Sequence, residues 1–122
     1  MDWNFRGDAP IYTQLCEQLT IAIVSGTYAP GERLPAVREL AVDAGVNPTP
    51  VQRSLGELER DGLVFSQRTA GRFVTENAER IEEERQALAG MRVRDFLAAM
   101  ERLGYNRMQT VELMEKLRGE DA

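Results

Sequence analysis

The sequence predicts a mainly α-helical chain with one small β-hairpin, and three observations support this prediction. Apolar residues recur at three- and four-residue intervals through most of the 122 residues, as they do on the buried face of a helix. Two short β-prone runs, at 63–65 and 73–75, flank a polar stretch that holds a glycine. Residues 77–122 then return to the helical period.

The first predicted helix runs from Pro10 to Ser25. Pro10 suits a first helical turn, Asp8 is a plausible cap, and Gly26 ends the helix. Its core-facing residues repeat every fourth position: Ile11, Leu15, Leu19 and Ile23. Ahead of the helix, we expect Trp3 and Phe5 to cover an apolar edge of the domain.

Residues 34–63 predict two short helices joined by a tight turn. The first covers 37–44 and ends at Gly45, because glycine readily takes the left-handed conformation. Asn47 is a good N-cap for the second helix, Pro48 suits its first position, and Gly62 ends it. Two helices around such a turn form a helix-turn-helix, whose second helix commonly lies in the DNA major groove.

A hairpin follows the two helices, and the combination predicts a winged helix-turn-helix. The expected loop of the wing, 66–72, carries Arg68 and Arg72, which are well placed to contact phosphates or a minor groove. The sequence therefore predicts that residues 1–76 form a DNA-binding domain.

Residues 77–122 predict a C-terminal two-helix hairpin. One helix covers 78–103, and Asn106 with Gln109 forms a capping-box pattern that starts the other. Each helix has one apolar face, which packs either on the N-terminal domain or, as we expect, on the same hairpin of a second subunit. The expected dimerisation residues are Leu88, Met91, Phe96, Leu97, Met100, Val111, Met114 and Leu117.

Composition narrows the classes of function. The net charge is −5, histidine is absent, and Cys16 is the single cysteine. Because the usual zinc and iron ligands and the commonest general base are missing, we expect no enzymatic activity, no metal and no cofactor. The chain lacks an apolar run of the roughly 18 residues that a membrane span needs, and it lacks a signal-peptide core. We therefore expect a cytoplasmic protein without a membrane partner.

The arginines of the first domain counter the acidic net charge, because Arg38, Arg53, Arg68 and Arg72 all fall in or beside the predicted motif and wing. We expect Arg38 to contact DNA. Gln52 and Arg53 follow inward-facing Val51, so either can read a base, and the sequence leaves open which one does. Asn47 is first a helix cap and then a phosphate ligand. Thr49 lies in the first turn of the second helix, where it either donates to a phosphate or is exposed without a role in binding, and the sequence favours neither.

Four segments together are more specific than the two-helix pattern alone: PIYTQL (10–15), SGTYAPGERLPAVRELA (25–41), GVNPTPVQRSLGELERDGLV (45–64) and GRFV (71–74). In these segments the chain resembles the GntR family of bacterial transcription regulators. The short C-terminal region resembles that of the YtrA-like subfamily, whose genes often accompany transporter genes. The resemblance implies a dimeric repressor that binds a double-stranded, palindromic operator near its own promoter.

The resemblance also implies roles for individual residues. Arg38 matches an arginine that reaches bases or phosphates, and Gln52 and Arg53 match groove-facing positions. The matches at the turn and the wing are Asn47, Thr49, Arg68, Gly71 and Arg72. The chain departs from the family pattern at Ala36, Pro50, Thr69 and Ala70, which affects the operator sequence more than DNA binding itself.

Two alternatives stay open. The winged domain could instead be a protein-interaction module that binds DNA weakly, which the negative net charge favours. A small-molecule effector could also act on the dimer, and its chemistry is not readable from the residues.

Overall fold

The computed structural model describes residues 1–120, and within them it has five helices and one antiparallel hairpin. In chain order these are α1 (Ile11–Val24), α2 (Val37–Ala44), α3 (Pro48–Arg60), β1 (Val64–Gln67), β2 (Gly71–Val74), α4 (Ala78–Arg102) and α5 (Arg107–Leu117). The predicted class, mainly α with a small β-hairpin in a winged helix-turn-helix, is confirmed.

The chain divides into two compact units. The first, Met1–Arg85, contains α1 to α3, the hairpin and the start of α4, and the second begins at Gln86. The first turns of α4 belong with the winged domain because Ile81 packs against its core and Arg80 Nε donates to the Asp61 carbonyl at 2.9 Å. The division of function at residues 76 and 77 stays a prediction.

The core of the first unit is built from the apolar faces that the helical period predicted. Both α1 and α2 pack against α3. The buried cluster consists of Leu15, Leu19, Ile23, Leu34, Leu40, Ala41, Val51, Leu55, Leu58, Leu63, Val64 and Val74. Because these side chains come from α1, α2, α3 and both strands, the core fixes the orientation of α3 against α1 and α2.

The predicted glycine stops of α2 and α3 are confirmed. Gly45 has φ +70° and Gly62 has φ +78°, a region that side chains with a Cβ rarely adopt. The chain reverses after each, so that Val46 N–H donates to the Ala41 carbonyl and Leu63 N–H to the Leu58 carbonyl, both at 3.0 Å. Local glycine chemistry thus sets the turn between the two helices of the motif.

The predicted helix caps need correction. Asp8 does not cap α1 but accepts a hydrogen bond from Arg6 Nε at 2.9 Å, and Pro10 occupies the N-cap position. Asn47 occupies the predicted N-cap position of α3 without a side-chain capping bond inside that helix. Pro50 stands at the third helical position and removes one of the two N–H groups that an N-cap side chain can accept from, and Thr49 at the second position carries the other.

The wing contains a third extended segment that the sequence pattern did not reveal. The β1–β2 register pairs Val64 with Val74 and Gln67 with Gly71, so the loop is shorter than predicted. Residues 32–34 line the other edge of β2, where Leu34 N–H donates to the Arg72 carbonyl at 2.8 Å. On the same edge, Val74 N–H donates to the carbonyl of residue 32 at 2.9 Å. The segment before α2 therefore supports the wing.

Two glutamines of α1 attach the N-terminal arm to the first unit. The Gln14 amide accepts from Arg6 N–H at 2.7 Å and donates to the Arg6 and Ala9 carbonyls, both at 2.9 Å. Gln18 makes the same kind of two-way pairing with the backbone of residue 4. Trp3 and Phe5 then pack against the core, as expected, and Trp3 Nε1 donates to Asp43 Oδ2 of α2 at 2.7 Å.

The second unit is an αα-hairpin made by the later part of α4 and by α5. The predicted capping box is confirmed, because Gln109 N–H donates to Asn106 Oδ1 at 2.8 Å and Asn106 N–H donates to Gln109 Oε1 at 2.9 Å. Thr110 is fully buried, which identifies it as part of the inward face of α5. Most large apolar side chains of this unit are nevertheless exposed.

Candidate nucleic-acid interface

The outward face of α3 is polar and open. Val51, Ser54, Leu55 and Leu58 point into the core, and about 100° of rotation per residue places the opposite face at other positions. That face carries Thr49, Gln52 and Arg53, which are all exposed. With Val37 and Pro48 they line a shallow hollow of about 400 Å³ where α2 meets the start of α3. Sequence-predicted DNA contacts thus come together on one surface.

Arg53 is held against α1. Its guanidinium carbon lies 3.6 Å from the centroid of the Tyr12 ring, which is a cation–π contact. One helical turn after Tyr12, the Cys16 thiol points at the Ser54 carbonyl with a separation of 3.6 Å. Burial raises the pKa of the Cys16 thiol to about 11, because the seam between α1 and α3 excludes water. Sequence reasoning did not find Tyr12, since this contact joins residues far apart in the chain.

Arg38 is exposed near the start of α2. Its neighbour Glu39 turns back toward the helix end, where its carboxylate accepts a hydrogen bond from Ala36 N–H at 3.3 Å. This is half of a capping box, and the alanine lacks the hydroxyl for the other half. The carboxylate beside Arg38 is therefore engaged with the backbone.

The start of α3 is open to a ligand. Asn47 and Thr49 are exposed, and the Asn47 side chain makes no capping bond inside α3. The two prolines of the first turn, Pro48 and Pro50, weaken this helix end as a phosphate site, because neither supplies an N–H group. The Asn47 and Thr49 side chains and the Thr49 N–H are the polar groups exposed or free of proline at this end.

The two arginines of the wing differ in their partners: Arg68 is exposed, and Arg72 is paired with a carboxylate. Arg68 lies exposed in the loop between β1 and β2. Arg72 Nε donates to Glu59 Oε1 of α3 at 2.7 Å, and Ser66 Oγ donates to the same oxygen at 2.5 Å. Arg72 therefore contributes an ion pair to this surface, and Arg68 contributes an exposed positive charge. Glu59 joins the recognition helix to the wing.

Arg33 is a basic residue of this surface that sequence reasoning missed. Its Nε donates to the Ala70 carbonyl at the wing loop, 2.9 Å away. Its guanidinium also lies against Gly71, where an added Cβ would stand 3.1 Å from Arg33 Nε. Gly71 has φ +105°, a backbone conformation that side chains with a Cβ rarely adopt. The close approach of Arg33 is a second reason why this position favours glycine. Only the pairing of residues 32–34 with β2 brings Arg33 here.

The match with known proteins is direct. The family model for bacterial regulatory proteins of the gntR family covers residues 11–74, which is the winged domain.

The chain belongs to the GntR family.

Relatives place this GntR protein among transcription regulators. It is 36% identical over 112 residues to the uncharacterized HTH-type transcriptional regulator YhcF of Bacillus subtilis (strain 168), which spans 92% of this chain and 93% of YhcF. It is 40% identical over 73 residues to the HTH-type transcriptional repressor YtrA of the same strain, covering 60% of this chain and 56% of YtrA. The resemblance to the YtrA-like subfamily is confirmed.

Solved structures of GntR regulators and of a DNA-binding domain are also similar to this chain. A GntR family transcriptional regulator from Listeria monocytogenes superposes with a TM-score of 0.85 at 36% identity, covering 92% of this chain and 98% of that one. The DNA-binding domain of AraR, solved in complex with operator ORX1, matches with a TM-score of 0.55 at 28% identity over 59% of this chain and 93% of that one. The GntR chain is therefore a DNA-binding transcription regulator. Across residues 1–120 its helices are too short or too polar to span a membrane.

Most predicted dimerisation residues of the GntR chain are solvent-exposed. Leu88, Leu97 and Met100 are half-buried, and the other five are exposed: Met91, Phe96, Val111, Met114 and Leu117. The prediction omitted four further exposed large hydrophobic side chains of the hairpin: Val93, Leu103, Tyr105 and Met108. Leu103 and Met108 are each 72% exposed, so an apolar surface extends over both helices of the hairpin.

The link through Glu59 predicts how the wing responds to acid. Hydrogen bonds from Ser66 and Arg72 lower the pKa of the Glu59 carboxyl from its ordinary value of 4.5. A lowered pKa stabilises the fold above pH 4.5, and the contribution is lost as pH falls through the folded-state value. We expect the protection factors of the β1 and β2 amides, corrected for the intrinsic pH dependence of exchange, to fall below pH 4.5, and this acid response to be absent in Glu59→Gln.

Glu59→Gln should also release the Arg72 charge. If Arg72 can reach a phosphate, the slope of log affinity against log salt should steepen by about one unit. The matched control is Glu57→Gln, which removes the same charge from a carboxylate that pairs with Arg60 on the same helix at 2.9 Å. Equal slopes for the two variants would assign the change to net charge alone.

Replacing Gly56 by alanine is expected to raise the stability of the fold and to lower the affinity for DNA. It lies on the outward face of α3, one turn after Gln52 and Arg53, and within residues 1–120 an added Cβ would meet no atom within 4 Å beyond its chain neighbours and the local helix backbone. Gly56→Ala should therefore raise the free energy of unfolding by about 0.5–1 kcal/mol, since glycine is a poor helix residue. If DNA approaches this face closely, the methyl group should weaken operator binding. Thermal unfolding and binding titrations check the two effects.

Gly90→Ala is the matched control for Gly56→Ala. Gly90 is also a mid-helix glycine, and its added Cβ would lie 3.4 Å from the flexible Arg94 side chain. It should stabilise its helix by a similar amount and leave DNA binding unchanged. Unchanged binding in both variants would show that DNA does not press against position 56.

Proposed function

We propose that the protein is a homodimeric repressor that binds a palindromic operator, with one α2–α3 motif in each half-site. The observation that carries the proposal is the outward face of α3, where Thr49, Gln52 and Arg53 stand exposed together beside α2. Docking of such a face in the major groove puts glutamine and arginine side chains within reach of base edges.

The other arginines would position the motif rather than read sequence. Arg38 is exposed near the start of α2, Arg68 is exposed in the wing loop, and Arg33 donates to the backbone of that loop. Contacts of this kind go to phosphates and set the register of the protein on the duplex. Asn47 and Thr49 would bind the phosphate nearest the start of α3.

The exposed apolar surface of the α4–α5 hairpin supports the homodimer. Monomeric proteins rarely leave a large contiguous apolar surface in water, and a two-fold dimer buries the same surface on both subunits. Two winged domains related by a two-fold axis match an operator with two inverted half-sites about one helical turn apart.

We propose repression, regulation of its own gene and a cytoplasmic location from the similarity of this chain to its relatives. The name of the relative YtrA describes a transcriptional repressor. We propose that the protein acts in the cytoplasm at its own promoter, near transporter genes. A small-molecule effector would act by changing the separation of the two winged domains in the dimer.

A gel shift tests the proposal most directly. The probe is duplex DNA from the promoter of the protein's own gene, the competitor is a scrambled duplex, and both are run at two salt concentrations. A shift that is specific and survives moderate salt is the expected result, because base contacts add to the salt-dependent phosphate contacts. Binding that is equal on both duplexes and vanishes with salt would favour the protein-interaction alternative, which the Arg72–Glu59 pair and the net charge of −5 support.

A further inference from the structure

We propose that Tyr12 is a positioning residue of the DNA interface, whose ring holds the guanidinium of Arg53 in the orientation in which it meets DNA. Tyr12 lies in the first turn of α1, outside the two helices of the motif. The inference rests on the role proposed above for Arg53.

The geometry is that of a close cation–π contact. The Arg53 guanidinium carbon stands 3.6 Å from the ring centroid, well within the roughly 6 Å over which the ring attracts a cation. Arg53 is exposed, while Tyr12 is half-buried. The ring therefore forms a fixed surface beneath a side chain that water and DNA can still reach.

A stacked guanidinium remains a competent hydrogen-bond donor. Its N–H groups lie in its plane, so a ring that covers one face leaves the donors free for a base edge or a phosphate. An unsupported arginine on a helix surface samples many rotamers and loses that freedom when it binds. Holding Arg53 before DNA arrives removes part of this cost from binding.

The ring is itself held by the seam between α1 and α3. Leu15, which follows Tyr12 by three residues on α1, is fully buried, and Val51 and Ser54 are fully buried on the α3 side. The bond from Gln14 to the Ala9 carbonyl fixes the chain just before α1 begins. Tyr12 is therefore part of the rigid scaffold, and Arg53 is the mobile partner.

A competing carboxylate explains why a support is needed. Glu57 follows Arg53 by four residues, a spacing at which oppositely charged side chains pair on a helix. In the structure Glu57 bonds instead to Arg60 Nη1, 2.9 Å away, while Arg53 lies over Tyr12. Without the ring, Arg53 is free to turn toward Glu57 and away from DNA.

A double-mutant cycle tests the inference on the full-length protein with the operator and scrambled duplexes defined above. Tyr12→Leu removes the ring and should weaken operator binding about fivefold to tenfold, while Tyr12→Phe keeps the ring and should stay within about twofold of wild type. In an Arg53→Ala background, Tyr12→Leu should change operator binding by less than about twofold. Glu57→Gln should restore part of the affinity that Tyr12→Leu loses.

The outcomes separate the possible failures. Equal losses from Tyr12→Leu with and without Arg53 would overturn the inference, because they would indicate a structural role or a direct contact. An equal loss in Tyr12→Phe would identify a direct contact by the hydroxyl and overturn it as well. If Arg53→Ala leaves operator binding intact, the role of Arg53 itself fails. Should Tyr12→Leu unfold, the unbranched variant Tyr12→Met takes its place in the cycle, and positioning predicts the same loss and the same dependence on Arg53.

Discussion

Replacing Phe96 by aspartate is expected to convert the proposed dimer into monomers. Phe96 is 45% exposed in the single chain and lies among the apolar side chains of α4, so dimerisation would bury it. A carboxylate there would have to lose its hydration without a partner, which is strongly unfavourable. We expect light scattering to report the mass of one 13.7 kDa chain for the variant and about twice that mass for the wild type.

Operator binding by Phe96→Asp should fall by about two orders of magnitude or more. Two linked recognition helices bind a palindrome far more tightly than one, since the second binds at a high effective concentration. The winged domain itself should remain folded, because Phe96 lies in the second compact unit. Far-ultraviolet circular dichroism and thermal unfolding check that the loss reflects assembly.

Two controls accompany Phe96→Asp. Phe96→Leu keeps an apolar side chain and should keep the dimer. Ala98→Asp adds the same charge at an exposed position about 200° around α4 from Phe96, so it measures the effect of charge on DNA binding. A dimer that survives Phe96→Asp would contradict the assignment of this helix face to the interface.

Replacing Gln14 by glutamate is expected to lower the free energy of unfolding by about 2–4 kcal/mol at neutral pH. Gln14 is only 2% exposed, and its amide nitrogen donates to two backbone carbonyls. A carboxylate of nearly the same shape cannot donate, and it would face both carbonyl oxygens with its negative charge. Chemical denaturation monitored through Trp3, which lies on the arm, measures the loss.

The pH dependence identifies the cause. Burial would raise the pKa of the new carboxyl above that of an unfolded chain, so the deficit relative to wild type should shrink as pH falls toward about 4.3. Gln18→Glu is the control, since Gln18 makes a similar two-way pairing with the arm in a more exposed setting and should cost less than about 1 kcal/mol. Similar losses at both positions would show that burial of Gln14 does not decide its contribution.

Local signals explain how much of the fold could be predicted. The boundaries of α2 and the start of α3 follow from Gly45, Asn47 and Pro48, whose backbone preferences act within a few residues. The Asn106 capping box is equally local, and the structure confirms it. The predicted cap by the Asn47 side chain is absent, and Pro50 leaves the Thr49 N–H as the one remaining donor for it at the second and third helical positions.

The candidate interface was only partly predictable. Exposure of Thr49, Gln52 and Arg53 follows from helical periodicity once Val51 is assigned to the core. The pairing of Arg72 with Glu59 and the place of Arg33 under the wing depend on contacts between distant parts of the chain. A sequence pattern carries no direct record of such contacts, so the wing was assigned two equivalent arginines where the structure has one exposed and one paired.

By itself, the sequence determined the order of the helices, the turn of the motif, the wing and the outward face of α3, because periodicity, glycine and proline act on neighbouring residues. The tertiary structure decided which arginine is free, which is paired with Glu59 and which is supported by Tyr12. It also decided that Gln14 and Gln18 hold the N-terminal arm. These properties depend on packing α1 and the wing against α3, which brings together side chains that are distant in the sequence.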